Sequence, residues 1–292
     1  MVGSPPVTGT AQGLEARSFE IGGCTLVSAP MGGFAVDRIV VVKPLDEIDH
    51  YRQVLSKYDA PVMVELGVAY GGSVALFSLL ARPSRFVAIE LSPDRLPILD
   101  DFIRDQGLAG TVHVHHGVDQ ADVETLRKLV VEGCGDVLDL VIDDASHLYD
   151  ETVASFECLF PMVRPGGVYI VEDWSCDHSV RRTLDVGLAD PDSPLHPWAT
   201  EVMAGRITSH NAGQPAQTDV AAASLGGAVT SDRRPLSRFS LELMLAVADG
   251  VPGIAEVKVG QYSTTIVRDD ATIDPRTFRW ADVANDAFGQ LA

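Results

Sequence analysis

Apolar positions along the centre of this chain follow two rhythms in turn. Short runs with little polar interruption, such as LDLVI at 138–142 and VYIV at 168–171, suit strands buried on both faces. Elsewhere apolar residues recur three and four apart, as at Leu45, Ile48, Tyr51, Val54 and Leu55, the spacing of one helical face. The alternation predicts strands at Val62–Leu66, Arg85–Glu90, Val112–His116, Val137–Asp143 and Gly167–Glu172. It predicts helices at Leu45–Tyr58, Ser73–Ala81, Pro93–Gln106, Asp122–Glu132 and Asp150–Met162. Strand and helix in turn make a mostly parallel α/β sheet with helical crossovers. After a further helix at Pro235–Asp249, the segment EVKVGQYSTTIVRD reads as two strands around Gly260-Gln261, an antiparallel hairpin that gives the sheet a mixed edge.

The flanks are less regular. Residues 1–17 are rich in Pro, Gly, Ser and Thr and read as a loose arm. FEIGGCTLVSAP and RIVVV read as short strands, with Gly22-Gly23 a hairpin signal; they could pair, cover a sheet edge or form an oligomer contact. Residues 1–44 are thus an N-terminal arm with short strands, and 45–292 one enlarged domain. The alternation fails after Trp174. Residues 175–231 read as an irregular insertion with one short helix near Trp198–Gly205, either a lid over a site or a merely mobile loop.

Composition narrows the function. Hydrophobic residues at 46% can supply a sizeable core, while no apolar run approaches the ~20 residues that cross a bilayer. The first residues lack a basic stretch followed by an apolar one, so a cytoplasmic protein is expected. A formal charge of −19 disfavours nucleic acid and anionic membranes as partners, since both need clustered Lys and Arg. Four cysteines, far apart and without a CxxC pair, read as reduced thiols and not as a zinc site or disulfide framework.

Two acidic clusters carry candidate chemistry. Asp143-Asp144-Ala145-Ser146-His147 ends the fourth predicted strand, and Glu172-Asp173-Trp174 ends the fifth. Ligands of open α/β sheets bind outside the carboxyl ends of the strands, and carboxylates are the ligands a hard divalent cation prefers. If the two strands are neighbours, about 4.8 Å apart, the acids converge. Taken singly, Ser146 or Asp150 could cap a turn or helix, His147 could be a packed histidine, and Trp174 could belong to the core. His113, His115 and His116 alternate along the third strand and cannot jointly bind one ion.

The segment Val64–Ser73 leaves the first predicted sheet strand through glycines and opens a helix, whose free N–H groups can receive an anion. Its GVAYGG departs from the GxGxxG of nicotinamide oxidoreductases. Glu65-Leu66-Gly67 instead resembles the ExG motif of class I S-adenosylmethionine-dependent methyltransferases. The resemblance covers roughly residues 45–175 and the final hairpin, and implies a Rossmann-like fold. It implies cofactor contacts at Glu65, Gly67, Tyr70 and Ser73, with Glu90 on the ribose hydroxyls and Asp119 and Gln120 near the adenine.

The order Asp-Asp-x-Ser-His followed by Glu-Asp-Trp resembles the metal-dependent sugar O-methyltransferases of macrolide antibiotic biosynthesis, with a similar arrangement in cephalosporin-tailoring proteins. This implies Asp144, Glu172 and Asp173 as ligands of Mg²⁺ or another divalent cation, Asp144 and His147 as the catalytic residues with His147 the base, and Asp143 turned toward the cofactor. The expected activity is O-methylation of a small vicinal diol, a natural-product sugar first, by a homo-oligomer. A catechol-type or cephem-type acceptor is the nearer alternative, and a nonenzymatic S-adenosylmethionine-binding protein the more distant one. Acceptor and regiochemistry stay open at this point.

Overall fold

The structure, a computed structural model, describes residues 16–29, 38–194, 196–203 and 234–288. The expected arm at 1–17 lies almost wholly outside them, as do residues 204–231 of the insertion.

The centre is a sheet built of β4 (Val62–Leu66), β5 (Arg85–Glu90), β6 (Val112–His116), β7 (Leu138–Asp143), β8 (Val163–Glu172), β9 (Ile254–Val259) and β10 (Ser263–Arg268). Its strand order is β6-β5-β4-β7-β8-β10-β9. β4, β5, β6, β7 and β8 pair in parallel, and β10 runs antiparallel between β8 and β9. The expected α/β sheet with an antiparallel C-terminal hairpin is therefore the observed one. Connections from β4 run outward through β5 to β6, then return to β7 on the other side of β4. The order reverses between β4 and β7, which is where ligands enter such sheets.

Alternation along the strands divides the core. Val64, Leu66, Val87, Ile89, Val141, Tyr169 and Val171 face one layer, containing α4 (Val123–Cys134), α5 (Tyr149–Leu159), α8 (Leu236–Ala248) and α9 (Trp280–Phe288). Met63, Phe86, Ala88, Leu140, Ile142 and Ile170 face the other, containing α1 (Leu45–Leu55), α2 (Gly72–Ala81) and α3 (Pro97–Asp105). Both faces are covered, which is why these strands read as nearly unbroken apolar runs.

Boundaries shift where side chains intervene. α3 starts at Pro97, a residue whose fixed φ suits the first helical position, whereas Pro93 lies in a turn where the Ser92 hydroxyl accepts the Asp94 amide at 3.3 Å. α4 starts after Asp122, whose carboxylate accepts the Thr125 amide at 3.2 Å.

The expected N-terminal hairpin is present: β1 (Arg17–Ile21) pairs antiparallel with β2 (Cys24–Ser28), which pairs parallel with β3 (Val40–Val41). This small sheet lies on α2 so closely that a Cβ on Gly72 would sit 1.9 Å from the Val40 carbonyl oxygen. The first part of the segment read as irregular is helical, as α6 (Cys176–Ala189) and α7 (His196–Met203). The His196 ring bonds the Gly187 carbonyl at 2.9 Å, and Leu184 and Ala199 are buried, so these helices pack on each other. No helix among the described residues is long and apolar enough to cross a membrane.

Candidate active site at the switch point

Three loops meet at the carboxyl ends of β4, β5 and β7. The glycine loop after β4 turns at Gly67 (φ +90°) and passes Ala69 in a left-handed conformation (φ 45°) before α2. Glu90, at the end of β5, holds this loop: one carboxylate oxygen accepts the Val68 and Ala69 amides at 2.9 Å each, and the other accepts Ser92 N–H at 2.7 Å. An ionised carboxylate offers about four acceptor positions, so three backbone donors leave room for one hydroxyl. Glu65 is fully buried in the neighbouring strand β4, and neither of its carboxyl oxygens has a hydrogen-bond partner. Burial pushes its pKa to about 8, against smaller opposing pulls from Ser73 and the Lys43 charge. An orphaned carboxyl at a strand end fits a ligand carrying a donor such as an amine or hydroxyl. Nδ1 of His116, at the end of β6, is likewise buried without a partner.

The chain after β7 separates its two aspartates, as strand alternation requires. Asp143 turns into the layer of α5, where it accepts from Ser155 at 2.7 Å, Tyr169 at 2.9 Å and Gln120 at 3.3 Å. Burial raises it to about 6 despite the two hydroxyl donors. Gln120 also accepts the Ser146 amide at 2.8 Å, so its side chain ties the loop after β6 to the loop after β7. Asp119, expected beside it as a cofactor contact, is exposed and accepts the Ala121 amide at 2.8 Å, closing its own turn.

Asp144 turns the other way and meets the loop after β8. His147 Nε2 lies 3.9 Å from an Asp144 oxygen and 3.8 Å from an Asp173 oxygen. Ligand atoms of Asp144, His147 and Asp173 all lie within 4.8 Å of one another, a separation one divalent ion can bridge. His147 (φ 54°) and Asp173 (φ 48°) both adopt left-handed backbone, which costs non-glycine residues free energy and persists where the surroundings enforce it. The C-terminal hairpin does so for Asp173: its amide donates to the Tyr262 carbonyl at 2.8 Å, and the Trp174 indole donates to the Gly260 carbonyl at 2.9 Å. Trp174 is thus a clamp on that loop.

Glu172, grouped with Asp144 and Asp173 from the sequence, has other partners here. It is buried, receives the Tyr51 hydroxyl at 2.5 Å and pairs with Lys43. Burial and then the Asp144 charge push it well above its ordinary value. Lys43 is buried at the entry to α1 and also reaches Asp144 at 2.8 Å. Desolvation alone would lower Lys43, but Asp144, Glu172 and Glu47 outweigh it and raise its pKa.

A parallel sheet of this order with an antiparallel strand inserted before its last edge, and a glycine loop and acidic cluster at its reversal point, defines the class I methyltransferase fold. Residues 64–174 match a family model described as a methyltransferase domain. Among curated relatives, it is 33% identical over 122 residues to the 8-demethyl-8-alpha-L-rhamnosyl tetracenomycin-C 2'-O-methyltransferase of Streptomyces olivaceus, covering 39% of this chain and 29% of that protein. It is 47% identical over 55 residues to the mycinamicin VI 2''-O-methyltransferase of Micromonospora griseorubida, covering 19% of this chain and 13% of that one. The chain spans less than a third of the length of the curated relatives it matches. Among solved structures, a methyltransferase of the mycinamycin pathway in complex with Mg and SAH aligns at 19% identity and TM-score 0.46, covering 76% of this chain and 49% of that one.

Proposed function

We propose that this chain is an S-adenosylmethionine-dependent, divalent-metal-dependent O-methyltransferase acting on one hydroxyl of a small vicinal diol, a sugar of a natural product. The convergence of Asp144, His147 and Asp173 beside the glycine loop carries this reading. The curated relatives bear names of O-methyltransferases acting on rhamnosyl tetracenomycin and mycinamicin, which supports the acceptor class.

In this reading Glu65 and Glu90 present carboxyl groups to the amine and ribose ends of the cofactor, which supplies an electrophilic methyl group. Asp144 and Asp173 would hold the cation, with Glu172 behind them, and the cation would supply Lewis acidity toward an acceptor hydroxyl. His147 stands within 4 Å of both aspartates, placed to take the hydroxyl proton as general base. The loops would orient the acceptor for in-line attack, an effect that can supply about 7–11 kcal/mol of the barrier. The net charge of −19 suits a neutral or cationic acceptor. Four cysteines far apart and without a CxxC pair suit a reducing, cytoplasmic setting.

The test is incubation with methyl-labelled cofactor and a panel of glycosylated, catecholic and cephem acceptors, read by mass spectrometry with and without EDTA. Labelled sugar that vanishes with EDTA and returns with Mg²⁺ supports the proposal. Label on a phenol alone moves the acceptor to the catechol class, and full activity in EDTA removes the metal.

A further inference from the structure

Lys43 lies outside every motif in the sequence, yet it is the cation the acidic cluster is built around. Its ammonium pairs with Glu172, lies 2.8 Å from Asp144 Oδ2 and 3.5 Å from Glu47 Oε1, and is almost fully buried. Tyr51 fixes the far oxygen of Glu172 at 2.5 Å. Two of the three carboxylates read from sequence as metal ligands thus already contact a positive charge.

His147 faces Asp144 Oδ1 while Lys43 holds Oδ2, so a divalent ion in the cluster would share one carboxylate with the ammonium and sit within about 7 Å of it, given a metal–oxygen distance of about 2.1 Å. Two cations at that range in a buried site repel strongly. Without any cation, three acids packed together would be unfavourable. One tethered charge therefore stabilises the ligand set and opposes the ion that would use it.

We propose that Lys43 is a tethered competitor of the divalent cation, holding Asp144 and Glu172 in place in the metal-free protein and weakening metal affinity. The proposal rests on the reading that this cluster binds a divalent ion. It implies that Glu172 joins the metal shell only as Lys43 withdraws from it.

The measurement is Mn²⁺ binding to the full chain, followed by electron paramagnetic resonance and calorimetry without cofactor or acceptor. Lys43→Met should bind Mn²⁺ at least tenfold more tightly than wild type and gain more thermal stability from the ion. The double variant Lys43→Met/Glu47→Gln keeps the cluster's net charge and should retain the tightening, because the competition is local. It also carries the measurement where the single variant fails to fold. Unchanged or weaker affinity in the variants, with wild type binding Mn²⁺, would overturn the competitor role alone. Tightening in the single variant that disappears in the double one would also overturn it, as an effect of overall charge. An absence of Mn²⁺ binding in all three proteins would sink both the metal reading and this inference.

Discussion

The amide of Asp144 donates to the carbonyl of Leu66 at 2.8 Å, joining the loop that carries the acidic cluster to the glycine loop at the point where strand order reverses. The next residue, Gly67, makes this approach possible. A Cβ there would stand 2.0 Å from the Asp144 carbonyl oxygen, with φ at +90°. Gly67→Ala is therefore expected to lower stability by about 2–4 kcal/mol, from backbone strain and overpacking together. It should weaken cofactor and Mn²⁺ binding at once, since it displaces both loops. Gly23→Ala is the control: φ is +83° but nothing lies within 4 Å, so strain alone applies, at about 1–2 kcal/mol. Thermal melts and calorimetry of the two variants check the contrast.

Glu65 gives a pH dependence with a definite sign. Its folded-state pKa is raised from an ordinary 4.5 to about 8, so the folded chain holds a proton that the unfolded chain releases. The contribution is fully present below 4.5 and is lost as pH rises toward 8, at roughly 1.4 kcal/mol per pH unit as an upper bound. Glu65→Gln keeps the shape without the ionisation. It should flatten the fall of the melting temperature between pH 5 and pH 8, about the range set by those two values, and gain on wild type at the alkaline end. Parallel slopes for the two proteins would reject the assignment.

Glu90 should be sensitive to a change as small as Glu90→Gln. The amide has one acceptor oxygen where the carboxylate has two, and all three of its present donors are backbone N–H groups. At least one is left unsatisfied in a buried place, a loss of about 1–3 kcal/mol. The glycine loop then loosens, and calorimetric affinity for S-adenosylmethionine should fall by at least tenfold. A variant that melts lower but binds the cofactor unchanged would confine Glu90 to a structural role.

The sheet was legible because β4, β5, β7 and β8 are covered on both faces and write themselves as apolar runs. So was the meeting of Asp144 with Asp173, since parallel neighbours bring their ends together. Three things were not. α6 has few apolar positions, with Leu184 its deeply buried leucine, so its periodicity is faint. The network in which Gln120 and Asp143, both expected at the cofactor, also bond each other, Ser155 and Tyr169 joins residues far apart in the chain. Lys43 meets Asp144 and Glu172 across 101 and 129 residues of chain, a juxtaposition that no local pattern announces. A lone Lys before Pro44 carries no signal of it.

His147 and Asp144 lie 3.9 Å apart, yet their replacement should produce different losses. Asp144→Ala removes a carboxylate from the cluster and leaves Lys43 one partner fewer, so Mn²⁺ binding should vanish and turnover with it. His147→Ala removes the base, and kcat should drop by about 10²–10⁴-fold, while cofactor affinity stays within a few fold. Because a ring nitrogen of His147 also lies within the cluster, Mn²⁺ affinity separates two roles for it. Affinity unchanged in His147→Ala assigns the ring to proton transfer. Affinity lost in parallel with Asp144→Ala makes it a metal ligand, and the base must then be sought elsewhere. His147→Gln, which offers an oxygen to the ion but cannot take a proton near neutral pH, sharpens the distinction: a base predicts metal binding kept and turnover lost, whereas a ligand role alone predicts that both survive in part.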